Sequence, residues 1–127
     1  MRVLLDTHSF LWWVDDSPRL SARARTTIAG ATDAFVSVAS CWEMAIKDSL
    51  GKLELPGPLD RLMPEQLALN SFQLLSIDLE DAARVAALPF HHRDPFDRML
   101  AAQALNDGLA VVSADPIFRK YGLRRVW

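Results

Sequence analysis

The sequence predicts an α/β domain built on a mainly parallel sheet, and three observations carry that reading. Short unbroken apolar runs alternate with longer helical patterns along the whole chain. Strands covered by helices on both faces read as such runs, because neither face meets water. Helix start and stop residues fall between the runs. The 127 residues, 50% hydrophobic and 24% charged, suffice for one domain, 1–127, that buries roughly 65–70% of its unfolded surface without disulfides.

The elements follow in order. Residues 2–5 (RVLL) form the first run, stopped by Asp6. Helical patterns over 8–15 and 20–29 make the first connection, with Ser21 placed to cap the second. A strand over 34–38 (AFVSV) leads into a helix over 39–50, with Cys41, Ala45 and Ile46 on one face and Gly51 as its stop. Residues 58–69 place Leu59, Leu62, Met63, Leu67 and Leu69 in a helical segment that Pro64 is expected to break or start. A strand over 72–77 (FQLLSI) and an Ala-rich helix over 79–88 come next. Asp94-Pro95 and Gly108 bracket a helix over 95–107. Strands over 109–113 (LAVVS) and 123–127 (LRRVW) complete the set. Parallel strands joined this way need right-handed crossovers. Ligands then gather beyond the carboxyl ends of the strands, where the strand order reverses.

Composition narrows the function. Sixteen acidic and fourteen basic residues give a net charge of −2, so no general attraction to nucleic acid exists and any such role rests on a local site. One cysteine forms no internal bridge, which fits a reducing compartment. No apolar run reaches the ~20 residues of a membrane span. The opening MRVLLDTHSFLWW meets Asp6 too soon for a signal-peptide core. A soluble cytosolic protein is expected.

Acids mark the strand ends. Asp6 follows the first strand, Asp78 the third and Asp115 the fourth. Glu43 lies about one turn into the helix after strand two, and Asp97 in the first turn of the helix leading to strand four. Each has a structural reading beside the chemical one. Asp94-Pro95-Phe96-Asp97 is close to a capping box; Asp115-Pro116 and Asp78 resemble helix caps; Glu43 could cap a helix starting at Ser40 or face solvent. Asp6 has the weakest such reading, because it interrupts an apolar stretch. If Asp6, Glu43, Asp97 and Asp115 converge, they need protons or a cation, since two carboxylates ~4 Å apart repel by ~4 kcal/mol at an effective dielectric near 20. Oxygen donors select a hard ion such as Mg2+ or Mn2+. An ion so held does phosphodiester chemistry.

LLDTH, a mid-chain S-x-x-S-x-W-E helix, DPFDRMLAAQA and VVSAD-x-x-F together resemble the PIN domain family, with the nearest likeness to the VapC toxins of type II toxin–antitoxin systems. The resemblance runs over residues 2–127. It implies a three-layer α/β/α fold with a five-stranded sheet ordered 3-2-1-4-5. It implies a Mg2+- or Mn2+-dependent endoribonuclease acting on RNA, a homodimer, and a cognate antitoxin that wraps the toxin. The family's four acids fall on Asp6, Glu43, Asp97 and Asp115. Asp6 and Asp97 would be the main metal ligands, and Glu43 and Asp115 would act directly or through water. Thr7 and Ser113 match its small polar positions. The implied strand order puts Asp78 at the sheet edge, as a cap only. Asp94 can cap its helix, pair with Arg98, or touch a metal-bound water; the cap is favoured.

The remaining features are weighed against packing. His91 and His92 read as a loop near the site mouth rather than as metal ligands, and His8 as a helix-surface or packing residue. Cys41 reads as a small buried residue. One of Trp12 and Trp13 packs inward, and the other is covered by a neighbouring helix or serves a partner. Arg19, Arg23 and Arg25, and Arg119, Lys120, Arg124 and Arg125, are solvated faces unless they flank the acids and hold RNA phosphates. The rivals are a receiver-like signalling module and a non-catalytic interaction domain. A receiver needs an acid pair after strand one and a lysine after strand five, where this chain has Asp6 alone and ends at Trp127. A dehalogenase-type phosphatase needs D-x-D where Asp6-Thr7-His8 stands, and no Gly-rich phosphate loop occurs.

Overall fold

In the computed structural model, which describes residues 1–127, five parallel strands form one sheet ordered 3-2-1-4-5. The strands are β1 (Arg2–Leu5), β2 (Asp33–Ser37), β3 (Phe72–Leu75), β4 (Ala110–Val112) and β5 (Arg125–Val126). The helices are α1 (Thr7–Val14), α2 (Ala22–Ala29), α3 (Val38–Ser49), α4 (Leu59–Asn70), α5 (Leu79–Ala87), α6 (Pro95–Asp107) and the short α7 (Ile117–Lys120). All five expected strands are present: β1 over the expected residues, β2 shifted by one, and β3, β4 and β5 shortened, β5 to two residues; α7 follows the Asp115-Pro116 pair.

Side-chain alternation sorts the sheet into two cores. Val3, Leu5, Val36, Phe72, Val112 and Val126 face one side with Phe10, Ile28, Met44 and Met63. Leu4 and Val111 face the other with Leu88, Leu100, Phe118 and Tyr121. The two-residue period of a strand sends neighbours to opposite faces. Both faces are covered, so both sets are apolar and the runs look continuous in sequence. α3 reaches both sides, through Met44 and Ala39.

Two helix expectations are corrected. α4 runs through Pro64 without a break. Its ring removes one hydrogen bond, to the carbonyl of exposed Asp60, which water can satisfy. Leu62 and Met63 are buried, and Met63, with Leu59 and Leu67, packs in the core against the sheet. α3 buries Ala39, Ser40, Glu43 and Met44, while Cys41 and Ile46 are half-buried and Ala45 is exposed. The buried face is the one that packs into the two cores through Met44 and Ala39; the helix starts at Val38, capped by Ser37, whose Oγ accepts from the Ala39 N–H at 3.0 Å. Ser37 Oγ also donates to Gln103 Oε1 at 2.5 Å, and Gln103 Nε2 donates to the Ser76 carbonyl. This fully buried polar link ties α6 to the end of β2.

Candidate functional site

The register aligns three strand ends. Leu5 pairs with Val36 on one side and Val112 on the other, so Asp6, the start of α3 and the β4–α7 turn meet at one edge. β1 and β4 are neighbours whose onward connections run in opposite directions, which opens a crevice between them. A cleft of about 190 Å3 lies there, lined by Asp6, Thr7, His8, Trp12, Glu43, Lys47, Asp94, Asp97, Ala114 and Asp115.

Each acid is placed by local chemistry. Asp6 is 8% exposed and caps α1, accepting from the Ser9 N–H at 2.8 Å. The structural reading judged weakest for this residue is therefore present: Asp6 caps a helix and faces the cleft. Glu43 is buried in the second turn of α3, beyond capping reach and away from solvent. Thr7 Oγ1 donates to Glu43 Oε1 at 2.6 Å, and Lys47 Nζ donates to Oε2 at 2.7 Å. Asp94 caps α6, accepting from the Phe96 and Asp97 N–H groups. It does not pair with Arg98, whose guanidinium turns inward to the Val85, Leu88 and Pro89 carbonyls. Asp97 projects into the cleft one turn later. Asp115 is exposed at the rim and accepts from the Ile117 N–H. Ser113 Oγ accepts from the Asp115 N–H, and its hydroxyl lies near enough to Asp6 to favour the ionised carboxylate. Asp78 lies at the β3 edge in a capping box with Asp81.

Electrostatics reports the crowding. Burial, reinforced by the charges of Asp94, Asp6, Glu43 and Asp115, pushes the Asp97 carboxyl from 3.8 up to about 7. Burial raises Asp6 as well, opposed by hydrogen bonds from Ser113 and Ser9 and by nearby His8. The acids ring the cleft rather than closing on one point: no three His, Cys, Asp or Glu side chains form a ready ligand set. All donors are oxygens, Asp6, Glu43 and Asp97 are largely desolvated, and the volume admits several waters at ~30 Å3 each. That suits a hydrated Mg2+-like ion, which takes one or two carboxylates and keeps the rest of its shell as water.

The surroundings correct other expectations. Arg125 is no free cation: it donates to the Ser113 and Ala114 carbonyls and braces the turn that carries Asp115. Arg25 pairs with Asp16 and lies over Trp13. Arg19 does flank the acids, in an adjoining groove with Lys47 and Lys52. Trp13 packs on Phe72 and donates to Asn70, and Trp12 packs against Trp127 and His8. The widely exposed aromatics are instead Trp42 and Phe90. No spacing rule singled these out, since each stands alone in sequence.

A doubly wound α/β domain with a carboxylate-lined crevice at its switch point is the class that the fold and cleft define. The PIN domain model matches residues 3–123, and the chain belongs to the PIN domain family. It is similar to Ribonuclease VapC22 of Mycobacterium tuberculosis, 32% identical over 120 residues that cover 94% of this chain and 91% of that protein. Its backbone is similar to VapBC2 from Rickettsia felis bound to a promoter DNA fragment, with a TM-score of 0.72, 12% identity, and 98% and 97% of the two chains covered. DNA-bound VapBC from Salmonella typhimurium gives 0.68, 18%, and 98% and 96%. At these identities the structural likeness concerns the fold.

Proposed function

We propose that the chain is a Mg2+- or Mn2+-dependent endoribonuclease, the toxin of a toxin–antitoxin pair. The carrying observation is the cleft at the switch point, where Asp6, Glu43, Asp94, Asp97 and Asp115 line one small volume. The ribonuclease relative supports RNA as the substrate, and the VapBC likenesses support an antitoxin partner.

Asp6 and Asp97 are the primary metal ligands in this reading, with Glu43 and Asp115 acting through water. The bound ion would neutralise the scissile phosphate and lower the pKa of a water. The chain's residues set the stage. Thr7 and Lys47 hold Glu43 from two sides. Ser113 holds the Asp115 backbone beside Asp6. Lys47 is 40% exposed on the cleft wall and continues into the groove with Arg19 and Lys52, where RNA phosphates can lie.

Cleavage of a fluorescent single-stranded RNA tests this. Activity is expected with Mg2+ or Mn2+ and none in EDTA. Metal-independent cleavage, or neither cleavage nor Mn2+ binding, would sink the reading and leave a non-catalytic interaction domain. The partners need apolar surface. Exposed Trp42 and Phe90 border an apolar hollow with Ile77, Val85, Phe96 and Met99, and such patches mark interfaces. A homodimer is expected by light scattering, and Trp42→Ala should weaken it; a monomer at all concentrations would refute this part.

A further inference from the structure

A chain of hydrogen bonds runs behind Asp97. Arg98 Nη1 lies 3.3 Å from Tyr121 Oη, and Tyr121 Oη lies 2.7 Å from His92 Nδ1. His92 Nε2 is buried without a hydrogen-bond partner. The acidic oxygen it faces is Asp97 Oδ2, at 3.7 Å. A guanidinium only donates, so Tyr121 Oη accepts from Arg98. That leaves the Tyr121 hydroxyl proton free to be donated to His92 Nδ1, and in that direction Nδ1 is the acceptor. A neutral imidazole whose Nδ1 accepts carries its proton on Nε2, which is the nitrogen turned to Asp97.

We propose that His92 is a positioning residue for Asp97: Tyr121 and Arg98 hold it as the Nε2–H tautomer, and its neutral N–H orients the Asp97 carboxylate toward the cleft. At 3.7 Å the contact is longer than a hydrogen bond, so the N–H acts on the carboxylate as a facing dipole and leaves the Oδ2 lone pairs free for a cation. A neutral donor also leaves the carboxylate its full charge, which a lysine in this place would cancel. The ring has little freedom, being 18% exposed and packed against Tyr121 at 5.5 Å between centroids. An outer partner of this kind supports ligand geometry, and its loss costs at least about tenfold in metal affinity.

The consequence for metal binding rests on the nuclease reading; the tautomer does not. Two measurements separate them. Long-range 1H–15N correlation spectra of the metal-free full chain near pH 8 should show His92 as the Nε2–H tautomer, and Tyr121→Phe should turn it into a mixture. An Nδ1–H tautomer in the wild type overturns the proposal whether or not metal binds. Mn2+ titration should then show His92→Ala binding about tenfold more weakly than wild type. His92→Gln, which keeps an N–H at the same reach, should recover most of the loss, and Tyr121→Phe should fall between. kcat for RNA should drop with KM unchanged. Equal Mn2+ affinity in wild type and His92→Ala, or no recovery with Gln, would reduce His92 to a packing residue. A wild type that binds no Mn2+ would refute the nuclease reading and leave the tautomer to decide His92.

Discussion

Asp97→Asn is expected to abolish RNA cleavage while stabilising the metal-free protein at pH 8 and leaving its stability at pH 4 unchanged. The sign follows from the carboxyl's position. Folding raises it from 3.8 to about 7, so the fold disfavours the ionised form. Wild-type stability from this group is complete below the unfolded value and is lost as pH rises from about 4 to about 7. That interval corresponds to roughly 4 kcal/mol. Asp97 is 23% exposed, so solvent screening brings the expected gain to roughly 2 to 4 kcal/mol. Asparagine keeps the shape and removes the titration. Urea denaturation at both pH values should therefore give curves that coincide at pH 4 and separate at pH 8. Mn2+ at tenfold its Kd should stabilise the wild type by about 1.4 kcal/mol and the variant by much less. Cleavage should fall by at least about 10^2-fold, the scale for losing one preorganised charge-stabilising group, and Asp6→Asn should do the same. Parallel stability curves, or retained cleavage with a normal metal response, would remove Asp97 from the site.

The fold was legible because it is written in local patterns. The runs 2–5 and 109–113 name the two central strands, and the acids after them sit where a parallel sheet gathers its ligands. Capping at Ser21, Asp78 and Asp94 was readable because a cap is decided within three residues. The missed features depend on distant partners. The cap formed by Asp6 was masked by the apolar residues around it. The burial of Glu43 depends on the packing of α3 and on Thr7, 36 positions away. Ser37–Gln103 and His92–Tyr121 join segments 66 and 29 residues apart, and no spacing rule reaches that far. Arg98 looked like a surface partner for Asp94 at i+4, yet it is 4% exposed.

Arg98→Ala should be among the most damaging single changes outside the cleft. The guanidinium donates to the Pro89 carbonyl at 2.9 Å, Val85 at 3.1 Å and Leu88 at 3.3 Å, and lies 4.2 Å from the Phe90 ring centroid. No carboxylate pairs with it. Its charge is met instead by carbonyls at the carboxyl end of α5, the negative end of that helix dipole. Truncation leaves the buried Leu88 carbonyl and the part-buried Val85 and Pro89 carbonyls without this donor and removes the guanidinium from beneath the Phe90 ring. The expected cost is roughly 3 to 5 kcal/mol, a fall in Tm of roughly 10 to 20 °C. The segment 88–94 leads directly into the cap of α6, so the folded fraction should also lose metal affinity as Asp94 and Asp97 shift. Arg98→Lys separates charge from geometry. An ammonium keeps the dipole attraction but cannot span three carbonyls and Tyr121 Oη as a planar fork does. It should recover less than half of the lost stability. Full recovery with lysine would mean that the charge at the end of α5, rather than the fork, holds this segment in place.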